Sequence, residues 1–170
     1  MADDVALRSV TEADLKVIER FLAEPEVAGP FEWHGWKDPF RFRRRWAENG
    51  LLGDDGGTLM VALGADALGF VAWRKVVTSM SSYCWNMGIG LLPEFQGKGY
   101  GTEAQRLLVR YLFAHTQVHR IEAATDVGNI AEQRSLEKVG FQREGVMRGH
   151  AFRDGTWHDT LLYGVLRDEV

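Results

Sequence analysis

Residues 91–104, LLPEFQGKGYGTEA, decide how this chain is read. Three glycines alternate through Gln96-Gly97-Lys98-Gly99-Tyr100-Gly101. An apolar, strand-like run over Ser82–Leu92 leads into them. A helical pattern follows over Gly99–His115, with Ala104, Leu107, Leu108, Tyr111 and Leu112 at i, i+3, i+4, i+7 and i+8. Glycine costs conformational entropy in regular structure, so its repetition where a strand hands over to a helix needs a reason. The first N–H groups of a helix have no intrahelical acceptor and carry the positive end of its dipole. Glycines there let a ligand come close to the backbone. Together these features suit an anion, phosphate above all. On local grounds a tight turn that is merely glycine-rich stays open beside that reading.

The rest of the chain frames this junction. Val5–Val10 reads as a strand. Thr11 with Asp14 three residues on opens a helix to about Ala23, which Pro25, Gly29 and Pro30 break. Phe31, Trp33, Trp36 and Phe40 crowd the next ten residues. Asp38 and Pro39 then read as N-cap and first position of a helix ending near Asn49-Gly50. Thr58–Leu63 and Leu68–Val76 form a hairpin around Gly64-Ala65-Asp66-Ala67. After the helix over Gly99–His115 come a strand at His119–Ala124 and a helix at Asn129–Val139 with Gly140 as its C-cap. Gln142–Phe152 and Trp157–Leu166 pair across Asp154-Gly155. The strand–helix–strand–helix passage over 82–139 implies one parallel pairing in an otherwise antiparallel sheet. The expectation is a single α/β (α+β) domain over 1–170, with about seven strands and four helices.

Bulk properties narrow the function classes. With 45% hydrophobic and 26% charged residues, the chain has the composition of a globular domain. No apolar run approaches a membrane span, and the acidic N-terminus lacks signal-peptide character. A net charge of −4 argues against a broad nucleic-acid face. Cys84 is the sole cysteine, so no internal disulfide forms; a cytoplasmic setting is expected, with Cys84 as a small buried filler.

Two phosphate-loop motifs fail against the sequence. Walker A needs G-x-x-x-x-G-K-[ST], but Gly90 and Gly97 are too far apart and Lys98 is followed by Gly99. The dinucleotide fingerprint G-x-G-x-x-G fails because Gly101 comes one residue early. Gln96–Gly101 does fit Q/R-x-x-G-x-G/A. With NMGIGLLPEFQGKGYGTEAQRLL, DVGNIAEQRSLEKVGFQREGVMR and DGTWHDTLLYGVLRDE, the chain over about 82–168 resembles the RimJ/RimL-type branch of the GNAT N-acetyltransferases. The first half matches more loosely, in LRSVTEADL and the two-strand hairpin.

The resemblance implies a GNAT fold in which Ser82–Leu92 splays from His119–Ala124 and acetyl-CoA lies in the resulting V. Backbone at Leu91 and Leu92 would meet the pantetheine arm, and an N–H there would face the oxyanion. Gln96, Gly97, Lys98, Gly99, Tyr100, Gly101 and Thr102 would hold the pyrophosphate. Asn129 would bond the cofactor arm, its alternative being an N-cap. The implied reaction is direct attack of a neutral amine on the thioester, with a carboxylate or water chain removing the proton. No metal is implied.

The sequence departs from the family where an acid usually sits. Leu136 stands where many members carry tyrosine, and Glu132 where RimL-like members often carry serine. Asn129, Glu132 and Leu136 share a helix face, which turns Glu132 toward the thioester region. Its alternative is a surface glutamate. Ser135, on the stripe of Ala131 and Val139, is either a small core residue or a proton donor. Asn86 and Glu144 complete the catalytic candidates.

For the acceptor side, Phe31, Trp33, Trp36 and His158 are the candidates, as an aromatic wall able to hold a cationic amine or as core. His150, His158 and Asp159 match no zinc spacing. The arginine run Arg41, Arg43, Arg44 and Arg45 reads as a solvated helix face around Phe42 and Trp46, or as an attractor for an acidic acceptor, CoA phosphates or tRNA. Three functions are thereby in competition: an N-acetyltransferase for a small amine or a protein N-terminus, a CoA-binding regulatory protein without chemistry, and an aminoacyl-tRNA-dependent acyltransferase. Exposed aromatics over 31–46 would suit a homodimer contact.

Overall fold

A computed structural model describes residues 2–170. One sheet carries the fold, in the order β1-β3-β4-β5-β6-β8-β7, with a short β2 paired to β3. The strands are β1 (Val5–Ser9), β2 (Leu52–Gly53), β3 (Gly56–Leu63), β4 (Asp66–Ser79), β5 (Ser82–Leu91), β6 (Arg120–Asp126), β7 (Gln142–Arg153) and β8 (Thr156–Leu166). The helices are α1 (Leu15–Ala23), α2 (Pro25–Ala28), α3 (Arg41–Asn49), α4 (Tyr100–His115) and α5 (Ile130–Val139). Every pairing is antiparallel except β5 with β6. The expected architecture is present, with β2 and the one-turn α2 added to it.

Period-2 alternation builds a core on each face of the sheet. Leu59 and Val61 of β3 join Trp85, Met87, Ile121 and Ala123 under α4 and α5, where Leu108, Leu112 and Leu136 are fully buried. Met60, between them, faces the other way and packs with Leu15, Ile18 and Val27 of α1 and α2. Cys84 is buried, and burial pushes its thiol up to about 11, which suits a filler.

Two boundaries differ from expectation. The helix expected to start at Pro39 starts at Arg41: Asp38 Oδ1 accepts the Phe40 N–H at 3.0 Å, so Asp38 closes a turn just ahead of α3. The hairpin turn is tighter than Gly64–Ala67, because β4 already begins at Asp66. Thr11 and Asp14 do interact as expected, with Asp14 Oδ2 accepting from the Thr11 N–H at 2.8 Å and its hydroxyl at 2.7 Å. A 3-10 turn over Glu12–Asp14 lies between that cap and α1.

The feature that positions the site is the parallel pair. β5 and β6 are in register only at Trp85–Ile121, Asn86–Glu122 and Met87–Ala123. Beyond these, β5 stays with β4 as far as Leu91, and β6 stays with β8 as far as Asp126. Each strand follows its own antiparallel partner, and a V opens between them.

Candidate functional site

The glycine run sits at the open end of β5, where it enters α4. Gly97 and Gly99 have φ of 72° and 84°, a region that favours glycine. Among the described residues, the N–H groups from Gly97 to Thr102 have no acceptor; the first helical bond runs from the Glu103 N–H to Gly99 O at 3.2 Å. These donors lie at the positive end of the sixteen-residue α4. Gln96 Nε2 donates to Leu91 O at 2.9 Å, and Lys98 Nζ donates to Glu94 O at 2.8 Å, so both side chains brace the loop. Strand alternation separates Leu91 from Leu92. The Leu92 N–H is committed to Leu68 O at 2.9 Å and its side chain is buried in the second core, so it is turned away from the V. The N–H of Leu91, on the opposite side of the strand, faces the V.

Beside this cradle, four polar side chains from α4 and α5 connect. Thr102 Oγ1 lies 2.9 Å from Ser135 Oγ. Gln105 Nε2 donates to Ser135 Oγ at 3.3 Å and to Glu132 Oε1 and Oε2 at 3.0 and 3.1 Å. Burial pushes the Glu132 carboxyl up to about 7; the Gln105 hydrogen bond opposes this and Glu32 adds to it. Among the described residues, Glu132 has no cationic partner. Asn129 caps α5, its Oδ1 accepting the Glu132 N–H at 3.3 Å, which leaves its amide nitrogen for other use. Leu136 is fully buried and has no hydroxyl to offer.

The segment before α3 meets the end of β6 beside the V. Asp126, at the end of β6, pairs with Arg153 of β7 at 2.7 Å, both side chains being almost fully buried. Burial opposes ionisation of Asp126, but Arg153, the Gly128 N–H and His158 outweigh it and hold the carboxyl below its usual range. Arg153 also donates to Phe31 O at 3.2 Å, and His158 Nε2 lies 3.2 Å from Arg153 O. Phe31 and His158 therefore meet at one buried ion pair. Glu32 follows Phe31, and loss of water around its carboxyl raises its proton affinity against the pull of His34 and Arg153. Trp33 is half-buried, with Trp36 edge-on to it at 5.5 Å.

Some candidates lie apart. Trp36 is 76% exposed. Asn86 sits in the paired part of β5, on the face opposite Trp85 and Met87. Glu144 is held by two hydrogen bonds of 2.6 Å from Arg120, which keep its carboxyl below the ordinary range. Arg43 and Arg44 of the arginine run are engaged by Glu19 and Asp38. Sequence reasoning missed Gln105, Glu32 and the Asp126–Arg153 pair. Only Gln105 left a signal, as a polar residue on the buried side of α4 between Ala104 and Leu108. Among the described residues, no group of three or more His, Cys, Asp or Glu is placed to hold a metal, and no helix is long and apolar enough to cross a membrane.

Comparison with known proteins agrees with this geometry. Residues 4–142 match the family described as acetyltransferase (GNAT) domain. "Probable N-acetyltransferase YjcK" of Bacillus subtilis is 41% identical over 83 residues, which is 49% of this chain and 46% of that protein. The chain thus spans about half the length of the curated relatives of this kind. The spermidine N-acetyltransferase of Vibrio cholerae, solved with CoA and spermine, superposes with a TM-score of 0.86 at 18% identity over 98% of both chains. RimL, the ribosomal L7/L12 alpha-N-protein acetyltransferase, solved with coenzyme A, gives 0.81 at 17% identity over 98% of this chain and 96% of that one. At these identities the two structures share the fold alone. The chain belongs to the GNAT acetyltransferase family, with RimJ/RimL-like members among its relatives.

Proposed function

We propose that the protein is an acetyl-CoA-dependent N-acetyltransferase acting on a primary amine that arrives as a cation. The observation that carries this reading is the Glu132 carboxyl, poised near neutrality beside a cradle of unpaired backbone N–H groups. The N–H groups of Gly97 to Thr102 would hold the pyrophosphate of CoA, with the Thr102 hydroxyl beside them. Bound acetyl-CoA supplies the activated acetyl group. Glu132, ionised above about pH 7, attracts the acceptor ammonium and takes its proton. The Leu91 N–H offers a donor within the V for developing negative charge. Asp126 and Arg153 fix the wall that Phe31 and His158 share.

Charge favours an amine over a neutral acceptor. Glu32 acts on Glu132 as a like charge, and each binds its proton more tightly than an ordinary glutamate. An ammonium between them would relieve that repulsion. A short amine or the N-terminus of a polypeptide meets this requirement, and the spermine in the Vibrio cholerae protein is an example of the first in a relative of the same fold. The second reading, a CoA-binding regulatory protein, is favoured by one observation: Leu136 supplies no acid for the leaving thiolate.

One experiment separates them. The protein is titrated calorimetrically with acetyl-CoA, and thiol release is followed with a panel of diamines, polyamines, amino-acid amides and short peptides. Binding with turnover supports the enzyme. Binding without turnover across the panel supports the regulatory reading, and no binding by folded protein overturns both.

A further inference from the structure

We propose that Gln105 is a positioning residue, which fixes the Glu132 carboxyl and ties it through Ser135 and Thr102 to the N-terminal turn of α4. The proposal rests on Glu132 serving as the base of the reading above. Gln105 is fully buried, on a helix side otherwise made of Ala104, Leu108, Val109 and Leu112. An aliphatic residue would fill such a place without burying an amide. Gln105 even leaves its own Oε1 without a partner among the described residues. A burial of this kind calls for a use of the NH2 group.

Donor accounting supplies that use. Nε2 has two hydrogens and three acceptors: Ser135 Oγ and the two Glu132 oxygens. One hydrogen serves the serine and the other is shared by the carboxylate. Turning the amide over would set Oε1 against the Glu132 oxygens, which an ionised carboxylate resists. Ser135 Oγ accepts from Gln105, so its own hydrogen is free for Thr102 Oγ1, 2.9 Å away. Thr102 then keeps its hydrogen for the cradle at the start of α4. A single amide thus donates to a carboxylate on one side and, through the Ser135 hydroxyl, orders the Thr102 hydroxyl of the N-terminal turn of α4 on the other. A pin between two helices has no need of that polarity.

The surroundings of Glu132 leave Gln105 as its tuning partner. From α4 it faces Gln105, from its own helix Ser135 and the capping Asn129, and from the segment before α3 Glu32, which acts on it as a like charge. Among the described residues no cation is paired with it. Gln105 is therefore the group that favours its ionised form against burial and Glu32.

The test is a side-chain carboxyl titration by 13C NMR on the protein without ligands, with the Glu132 resonance assigned from Glu132→Gln. Gln105→Met preserves length and removes the donor; Gln105→Leu stands in for it should the first variant not fold. We expect the Glu132 midpoint to rise by about one pH unit or more, because a hydrogen bond to the charged form is lost. The rising limb of kcat against pH is expected to move by the same amount. CoA affinity, measured by calorimetry, is expected to weaken by no more than about tenfold, since the Thr102 hydroxyl loses its fixed orientation while the cradle N–H groups are untouched. A Glu132 midpoint unchanged within about 0.3 unit overturns the proposal and makes Gln105 a packing residue. Failure of the wild-type protein to bind CoA overturns the functional reading instead, and a shifted midpoint would still support the positioning role.

Discussion

Glu132 is the side chain proposed as the base, and its environment fixes its behaviour with pH. Its carboxyl titrates at about 7 in the folded protein against 4.5 for an ordinary glutamate, so the folded state holds a proton that the unfolded chain has released between those values. Its contribution to stability is complete below about pH 4.5 and is lost as pH rises through about 7. Glu132→Gln removes the ionisation and is expected to be more stable than wild type at pH 8, by roughly 3 kcal/mol at most, with the difference vanishing at pH 4. Urea unfolding at the two pH values checks this, and a variant less stable at pH 8 would contradict the burial of an uncompensated charge. The same substitution is expected to lower kcat at least about 100-fold, the usual scale for a lost general base. At this scale the sequence was legible in part. The helix register set Asn129, Glu132 and Leu136 on one face, and the N-cap given as the alternative for Asn129 is the bond its Oδ1 makes. Gln105 was passed over because a helical periodicity counts apolar positions and gives no warning of a buried amide. Glu32 reaches the site from an irregular segment, where no periodicity exists to read.

Elements were legible where side chains repeat and obscure where they do not. α4, α5 and the β7–β8 hairpin carry their own signals in apolar spacing, the Gly140 C-cap and the Asp154-Gly155 turn. β2 holds through Leu52–Gly57 and Gly53–Gly56, a pairing with partners a few residues away and no pattern of its own. The start of α3 moved because Asp38 spends its carboxylate on the Phe40 N–H. The entry to α1 depends on Asp14, which accepts from Arg8 at 2.6 and 2.9 Å as well as from Thr11. The Arg8 guanidinium holds its carboxyl well below the usual carboxylate range despite burial. Asp14→Ala is expected to cost about 2 kcal/mol, a capping loss plus a half-exposed arginine left without its partner. Because the native carboxyl titrates below its unfolded value, that stabilisation is present above about pH 4 and is lost as pH falls further. A urea midpoint unchanged at pH 7 would contradict it.

For the whole molecule, the arrangement follows from a sheet that parts in its middle. β5 and β6 diverge after Met87 and Ala123, α4 brings its N-terminus to the gap, and the Asp126–Arg153 pair clamps the aromatic segment over the far side. The order of strands and helices announced the parallel pair and the family resemblance its V, but the clamp joins residues of β6, β7 and the segment before α3 that no local motif connects. Asp126→Ala leaves Arg153 buried without a counter-charge and is expected to cost about 3 kcal/mol, read as a lowered thermal midpoint. An unchanged midpoint would show that the clamp does not hold the wall. The central claim concerns the cradle, and Gly101→Glu tests it most directly. Gly101 lies within the first turn of α4 without the positive φ of Gly99; a Cβ there comes 3.3 Å from Leu91 Cδ1, so that flexible side chain must give by a few tenths of an ångström for a glutamate to set a negative charge beside the proposed phosphate donors. Calorimetric titration with acetyl-CoA should show saturable binding to the wild type and affinity weakened at least about 30-fold in the variant, from repulsion of about 2 kcal/mol. Equal affinity in the two folded proteins would mean that the glycines at the mouth of the V do not hold the pyrophosphate.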